Sequence, residues 1–185
     1  MSDKVDMSHY TLQAVALDDA KLFVEMFNYK NFDNFKFDFN FAIQLTVELN
    51  NTEFIEAIPE LNLTENFKQE LYKIGLNYSI HKGMLNYMIS CLELLNINTI
   101  GQHYIEDAIK QKFDHIVKYL IRKRYYTDYN DAAVLAAKLD NYEIINWLLD
   151  EYHTSNFNVD MIRKHINYSR IQNLLDKLNS FALVE

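Results

Sequence analysis

A short grammar, written several times along the chain, narrows the possible folds before any other feature does. Residues 136–149 read AAKLDNYEIINWLL: two alanines, a polar break, then Ile144, Ile145, Leu148 and Leu149 at helical spacing. The segment 108–121, AIKQKFDHIVKYLI, repeats it with Ile116, Val117, Leu120 and Ile121. Apolar residues recurring at i, i+1, i+4 and i+5 after a polar break describe a helix that buries one stripe, preceded by a second helix whose close-packed positions are small.

The rest of the chain carries weaker copies. Aligned on the residue that opens the turn between the two helices (Asp19, Asn50, Gly83, Lys112 and Asp140), the intervals are 31, 33, 29 and 28 residues. Four residues earlier stand Val15, Thr46, Ser79, Ala108 and Ala136, all small or β-branched. Seven earlier stand Leu12, Ile43, Leu76, Ile105 and Ala133, all apolar. After the turn come the pairs Phe23/Val24, Phe54/Ile55, Tyr87/Met88, Ile116/Val117 and Ile144/Ile145. An inner helix that packs against neighbours on both sides needs a small residue where they approach, and an outer helix needs a buried stripe. The reading is an all-α stack of helix–turn–helix units over 9–36, 37–65, 66–100, 101–128 and 129–156, with a degenerate cap over 157–185. One domain covers 1–185.

Between the copies the pattern breaks in readable ways. Phe35, Phe37, Phe39 and Phe41 alternate with polar residues, a period of two that predicts a short extended segment or hairpin arm. Its aromatic side either packs on the stack or grips a partner. Pro59 ends its helix, and Asn66 with Gln69 forms a capping pair for the next. Gly83 takes a left-handed turn. Tyr125, Tyr126 and Tyr129 crowd one connector, as binding anchors or as a lid over the groove between helices. The cap keeps Ile171, Leu174 and Leu175, with a charged outer face of Arg163, Lys164 and Arg170 that stops the array.

Composition excludes more than it assigns. Three Gly and one Pro disfavour a hairpin-rich all-β domain, and 49% apolar residues suffice for a core. The net charge of −8 argues against a general nucleic-acid binder. The basic run Arg122-Lys123-Arg124 reads as a solvated helix C-terminus. No apolar run reaches bilayer-spanning length, and MSDKVDMSHY lacks a secretory h-region, so a soluble cytoplasmic protein without membrane contact is expected. A single cysteine, Cys91, falls on a helix stripe as a buried hydrophobe. The sequons at Asn50, Asn62, Asn77 and Asn167 are then unused. No two of the six histidines stand at metal-ligand spacing, and phosphate-loop and nucleophile-elbow motifs are missing. No cofactor, metal or catalytic residue is expected.

The repeated unit resembles the ankyrin repeat, a helix pair of about 33 residues. The resemblance covers roughly residues 10–178 and is best in AAKLDNYEIINWLLDEY and AIKQKFDHIVKYLIRK. No copy has the T-P-L-H start, Gly survives at the turn only as Gly83, and the short late intervals imply trimmed hairpin fingers. Divergent Asn-, Tyr- and Ile-rich sets of this kind are similar to those of large DNA viruses and some intracellular bacteria. The resemblance implies a non-catalytic scaffold holding a partner protein on a concave face, as a host-factor adaptor or decoy. Carried over by position, the residues before each turn point to Leu17 and Asp18, Glu48 and Leu49, His81 and Lys82, Lys110 and Gln111, and Lys138 and Leu139. The residue just before each inner helix adds His9, Asn40, Lys73, Gln102 and Asn130. Leu49 and Leu139 stand out as apolar residues at exposed positions. A monomer is expected; a self-associating structural subunit and an unrelated all-α domain are the alternatives.

Overall fold

Five times along the chain a helix stops at a residue with left-handed backbone and a second helix starts almost at once. α1 (Ser8–Ala16) and α2 (Ala20–Phe27) meet at Asp18; α3 (Phe39–Glu48) and α4 (Thr52–Ala57) meet at Asn50. α5 (Glu65–Lys82) and α6 (Leu85–Leu95) meet at Gly83, and α7 (Gln102–Lys110) and α8 (Asp114–Arg122) at Lys112. The last hinge, Asp140, joins α9 (Tyr129–Lys138) to α10 (Tyr142–Glu151), and α11 (Val159–His165) follows. The computed structural model describes residues 8–29, 37–152 and 157–166, with Leu174, Asp176 and Leu178. Among them there is no strand.

All five hinges are closed by the same two bonds. The hinge amide donates to the carbonyl three residues back, as Asn50 does to Val47 (3.0 Å) and Lys112 to Ile109 (3.1 Å). The next amide donates five back: Asp19 to Ala14 (3.0 Å), Asn51 to Thr46 (2.8 Å), Met84 to Ser79 (2.8 Å), Phe113 to Ala108 (2.9 Å) and Asn141 to Ala136 (2.8 Å). This is the Schellman arrangement, which satisfies carbonyls that a helix end leaves open. In three hinges the residue after the left-handed one also caps the next helix. The Asp19, Asn51 and Asn141 side chains accept from Leu22, Glu53 and Ile144 amides at 2.9, 3.0 and 3.3 Å.

The first hinge corrects the sequence alignment by one residue. Asp18, at φ 61°, is the left-handed residue, because Asp19 is committed to capping α2. The small inner residue of that copy is therefore Ala14 and not Val15. Ala14, Thr46, Ser79, Ala108 and Ala136 are all buried, and each supplies the carbonyl of the long hinge bond. The two polar members are satisfied within their helices, Thr46 Oγ1 donating to Ile43 O at 3.0 Å and Ser79 Oγ to Leu76 O at 2.9 Å.

Lys112, at φ 60°, holds a left-handed conformation that a side chain disfavours by roughly 1–2 kcal/mol. Lys112→Gly is expected to raise unfolding free energy by about 0.5–1 kcal/mol, glycine's greater freedom in the unfolded chain offsetting part of the relief. Urea denaturation measures it; a loss of stability would mean that the lysine side chain holds the hinge.

The chain forms two compact units, Met1–Ile97 and Asn98–Glu185. In the first, the inner helices α1, α3 and α5 pack in that order, and the outer helices α2, α4 and α6 pack in the same order. In the second, α7, α9 and α11 form the inner row and α8 with α10 the outer. The outer stripes are buried as their spacing required: Phe54, Ile55 and Ile58 on α4 and its 3-10 extension (Ile58–Glu60), Tyr87, Met88, Cys91 and Leu92 on α6, and the four aliphatic residues each of α8 and α10. On α2 the stripe is Phe23 and Phe27, with Val24 half-buried. Pro59 sits inside the 3-10 turn that ends α4.

Two local expectations fail for identifiable reasons. The period-two aromatic strip is helical from Phe39 onward, because Asp38 accepts from the Phe41 amide at 3.0 Å and starts α3. Phe37 and Phe39 are buried, packed edge to face at 4.8 Å, while Phe41 turns outward; Phe35 lies outside the described residues. α5 is capped by Thr64, which accepts from the Phe67 amide at 3.4 Å, and not by Asn66 with Gln69. In the cap, Ile162, Leu174 and Leu178 are buried; Arg170, Ile171 and Leu175 lie outside the described residues.

Candidate interaction surface

The hinges place one row of side chains at the C-terminal ends of the inner helices. In Met1–Ile97 these are Leu17 and Asp18 after α1, Glu48 and Leu49 at the end of α3, and His81 and Lys82 at the end of α5, all exposed. Leu17 is 77% and Leu49 53% exposed, each one residue before its left-handed hinge. A Lys82–Glu48 ion pair at 3.2 Å ties the second hinge to the third. In Asn98–Glu185 the equivalent row is Lys110, Gln111 and Lys138, again exposed. Leu139 departs from expectation: it is half-buried, at the end of a helix on which α7, α10 and α11 all pack.

The second set, expected just before each inner helix, falls elsewhere. His9 and Asn40 lie within the first turn of α1 and α3, exposed. Lys73 stands in the middle of α5, which is longer than the repeat predicts, and is paired with Glu70 at 2.9 Å. Gln102 opens α7 and its amide reaches Asp131 Oδ1 at 3.4 Å. Asn130 is half-buried in the first turn of α9, where its Oδ1 accepts from the Asn158 amide at 2.7 Å. That bond fastens α9 to the start of α11, a structural duty.

Sequence spacing missed a stripe on the exposed side of the inner helices of Met1–Ile97. On α3, Phe41, Leu45 and Leu49 stand four residues apart, opposite the buried Ile43 and Val47. Phe41 is 51% exposed and Leu45 half-buried. α1, packed against α3, adds Leu17 at the register of Leu49; α5, on the other flank, adds the half-buried Ile74 and Tyr78 at the registers of Phe41 and Leu45. The signal was present as an i, i+4, i+8 series, but the alternation of phenylalanines before it suggested a strand. On α7, by contrast, the positions equivalent to Phe41, Leu45 and Leu49 are His103, Asp107 and Gln111.

The tyrosine connector packs on its own unit. Tyr126 is buried and its hydroxyl donates to the Asp131 carboxylate; burial and that carboxylate push the phenol well above its usual range. Tyr125 stacks on Tyr119 at 6.4 Å and Tyr129 on Tyr152 at 4.2 Å. Tyr152 also meets the Trp147 ring edge to face at 5.8 Å, with Arg122 over that ring at 5.4 Å. The basic run is thus a helix end: Arg122 closes α8 and pairs with Glu151 at 3.4 Å, and Arg124 takes a left-handed backbone.

Cys91 and Tyr87 are both buried in the packing of α6. Burial pushes the Cys91 thiol far above its ordinary range, so it stays protonated and is a poor nucleophile. The buried Tyr87 hydroxyl shares a 2.9 Å hydrogen bond with Thr46, linking α6 to α3. Among the described residues no group of three or more His, Cys, Asp or Glu side chains is placed to hold a metal ion, and no helix is long and apolar enough to cross a membrane. Comparison of the chain with family models, with curated proteins and with solved structures finds no match in any of the three.

Proposed function

We propose that this chain is a non-catalytic protein–protein interaction scaffold, built of ankyrin-like helix pairs, that holds a partner protein against the exposed side of its inner helices and their hinges. The observation that carries the reading is the exposure of Phe41 and Leu49 on α3 with Leu17 beside them at the end of the adjacent α1. Large apolar side chains gathered on one face cost solubility unless something covers them, and aromatic residues are the ones that anchor interfaces. Support for the ankyrin-like class comes from five hinges with one bonding pattern and five buried small residues at one position. A host-factor adaptor or decoy in a cytoplasm is the role such a scaffold fits.

The test is affinity capture from the native cell, read by mass spectrometry, comparing the natural chain with a Phe41→Asn, Leu49→Asn double variant. Both positions are solvent-facing, so circular dichroism should stay helical. One or more proteins captured by the natural chain should be lost with the variant. An identical capture profile would remove this face as the binding surface.

A further inference from the structure

Charge is divided unevenly between the two units. Met1–Ile97 contains 14 Asp and Glu against 7 Lys and Arg, whereas Asn98–Glu185 contains 12 against 11. Nearly all of the net −8 therefore belongs to the unit that also carries the apolar stripe. Of that unit's four described lysines, three are already engaged with glutamates: Lys68 with Glu65 at 3.2 Å, Lys73 with Glu70 at 2.9 Å and Lys82 with Glu48 at 3.2 Å. Asp18 stands at the hinge end of the stripe, beside the Glu48–Lys82 pair, and Asp38 at its start, both aspartates exposed.

We infer that the occupant of this face is a cationic amphipathic helix of a partner protein, an inference that rests on the interaction-scaffold reading above. Phe41, Leu45 and Leu49 run two helical turns, roughly 12 Å at 1.5 Å per residue. That length matches the apolar i, i+4, i+7 face of a helix laid along a groove. Leu17 on α1 and Ile74 and Tyr78 on α5 flank the stripe at matching registers. A helix with lysines or arginines flanking its apolar face meets acid at both ends of the stripe. An acidic or neutral helix burying the same area would add to an existing excess of like charge. Charge at the rim stays wet, so it governs encounter and selectivity while the apolar contacts hold the complex.

The test uses the full chain and three labelled synthetic peptides followed by fluorescence anisotropy. One is a Leu/Lys peptide with leucines at i, i+4 and i+7; one has the same leucines with glutamate for lysine; one has the Leu/Lys composition in scrambled order. The Leu/Lys peptide should bind at least about tenfold more tightly than either control. Raising salt from about 50 to about 300 mM should weaken it severalfold, since screening shortens the reach of the acidic field. Phe41→Asn with Leu49→Asn should weaken it at least about tenfold, while Lys123→Gln, at the exposed end of α8 in the other unit, leaves it unchanged. Equal binding of the scrambled or glutamate peptide, or binding untouched by the double variant, overturns the inference. So does a dimer by light scattering that the double variant dissolves, since a second copy would then be the occupant. If the native-cell capture depends on Phe41 and Leu49 but the Leu/Lys peptide does not bind, the cationic helix is wrong and the scaffold reading stands. If neither responds to the double variant, both fall.

Discussion

Gly75→Ala will destabilise this protein, although alanine is the better helix former. Gly75 lies in the middle of α5, where replacing glycine ordinarily gains about 1 kcal/mol. A Cβ there would stand 2.9 Å from Cys91 Sγ, 3.2 Å from Tyr87 Cε1 and 3.3 Å from Ile55 Cδ1. All three neighbours are fully buried, and the Tyr87 ring is further held by its hydroxyl bond to Thr46. None has an exposed end to swing aside, so α6 must retreat from α5. Overpacking of this kind costs about 1–3 kcal/mol per small addition. The net expectation is a loss of about 1 kcal/mol for Gly75→Ala and roughly 3 kcal/mol or more for Gly75→Val. Cys91→Ala removes the nearest contact, and in that background Gly75→Ala should become neutral or stabilising. A double-mutant cycle by urea denaturation gives the coupling directly. Gly75→Ala stabilising the natural chain by about 1 kcal/mol would show that α5 and α6 are not this close.

Ala136→Leu is expected to cost the Asn98–Glu185 unit roughly 2–4 kcal/mol. α9 buries six consecutive residues, Ala132 to Ala137, which a surface helix with one apolar stripe never does. It is crowded because α7, α10 and α11 all pack on it. Ala136 also contributes the carbonyl of the 2.8 Å hinge bond from Asn141, so pushing its backbone aside disturbs the cap of α10 as well. Lys138→Leu, two residues on and exposed, enlarges the same helix without entering the core and should change stability by no more than about 0.5 kcal/mol. Thermal and chemical unfolding of the pair, side by side, separate crowding from helix propensity. A cost for Ala136→Leu below about 1 kcal/mol would mean that the inner helices are not closely nested.

Outer helices were the most legible part. Ile116, Val117, Leu120 and Ile121, and their counterparts on α6 and α10, are buried where the spacing put them, because a helix with one apolar stripe has one way to hide it. Four of five hinge residues were legible too, since a polar break between periodic segments marks a turn. The first was displaced because Asp18 and Asp19 are the same residue type, and only the bond from Asp19 to Leu22 says which one caps and which one bends. The start of α3 was hidden for a similar reason. An alternation of phenylalanines fits a strand locally, yet Asp38 can begin a helix within it, and burial of Phe37 and Phe39 among Phe23 and Phe27 decides between them.

For the candidate interaction surface the balance reverses. Positions before the hinges were found from repeat spacing, because the hinge fixes where each inner helix ends. Their environments were not, since exposure of a C-cap residue depends on what packs beside it: Leu49 stays open and Leu139 does not. Sequence by itself determined the secondary structure class, the helix pairs, the buried small residues of the later copies and the acidic excess, all of which follow from local period and composition. Tertiary structure alone decided that Phe41 points to solvent, that Gly75 is a point of close approach and that the tyrosines fold back on their own unit. Those outcomes depend on which helices lie beside one another, and contacts between distant segments leave no period in the chain to read.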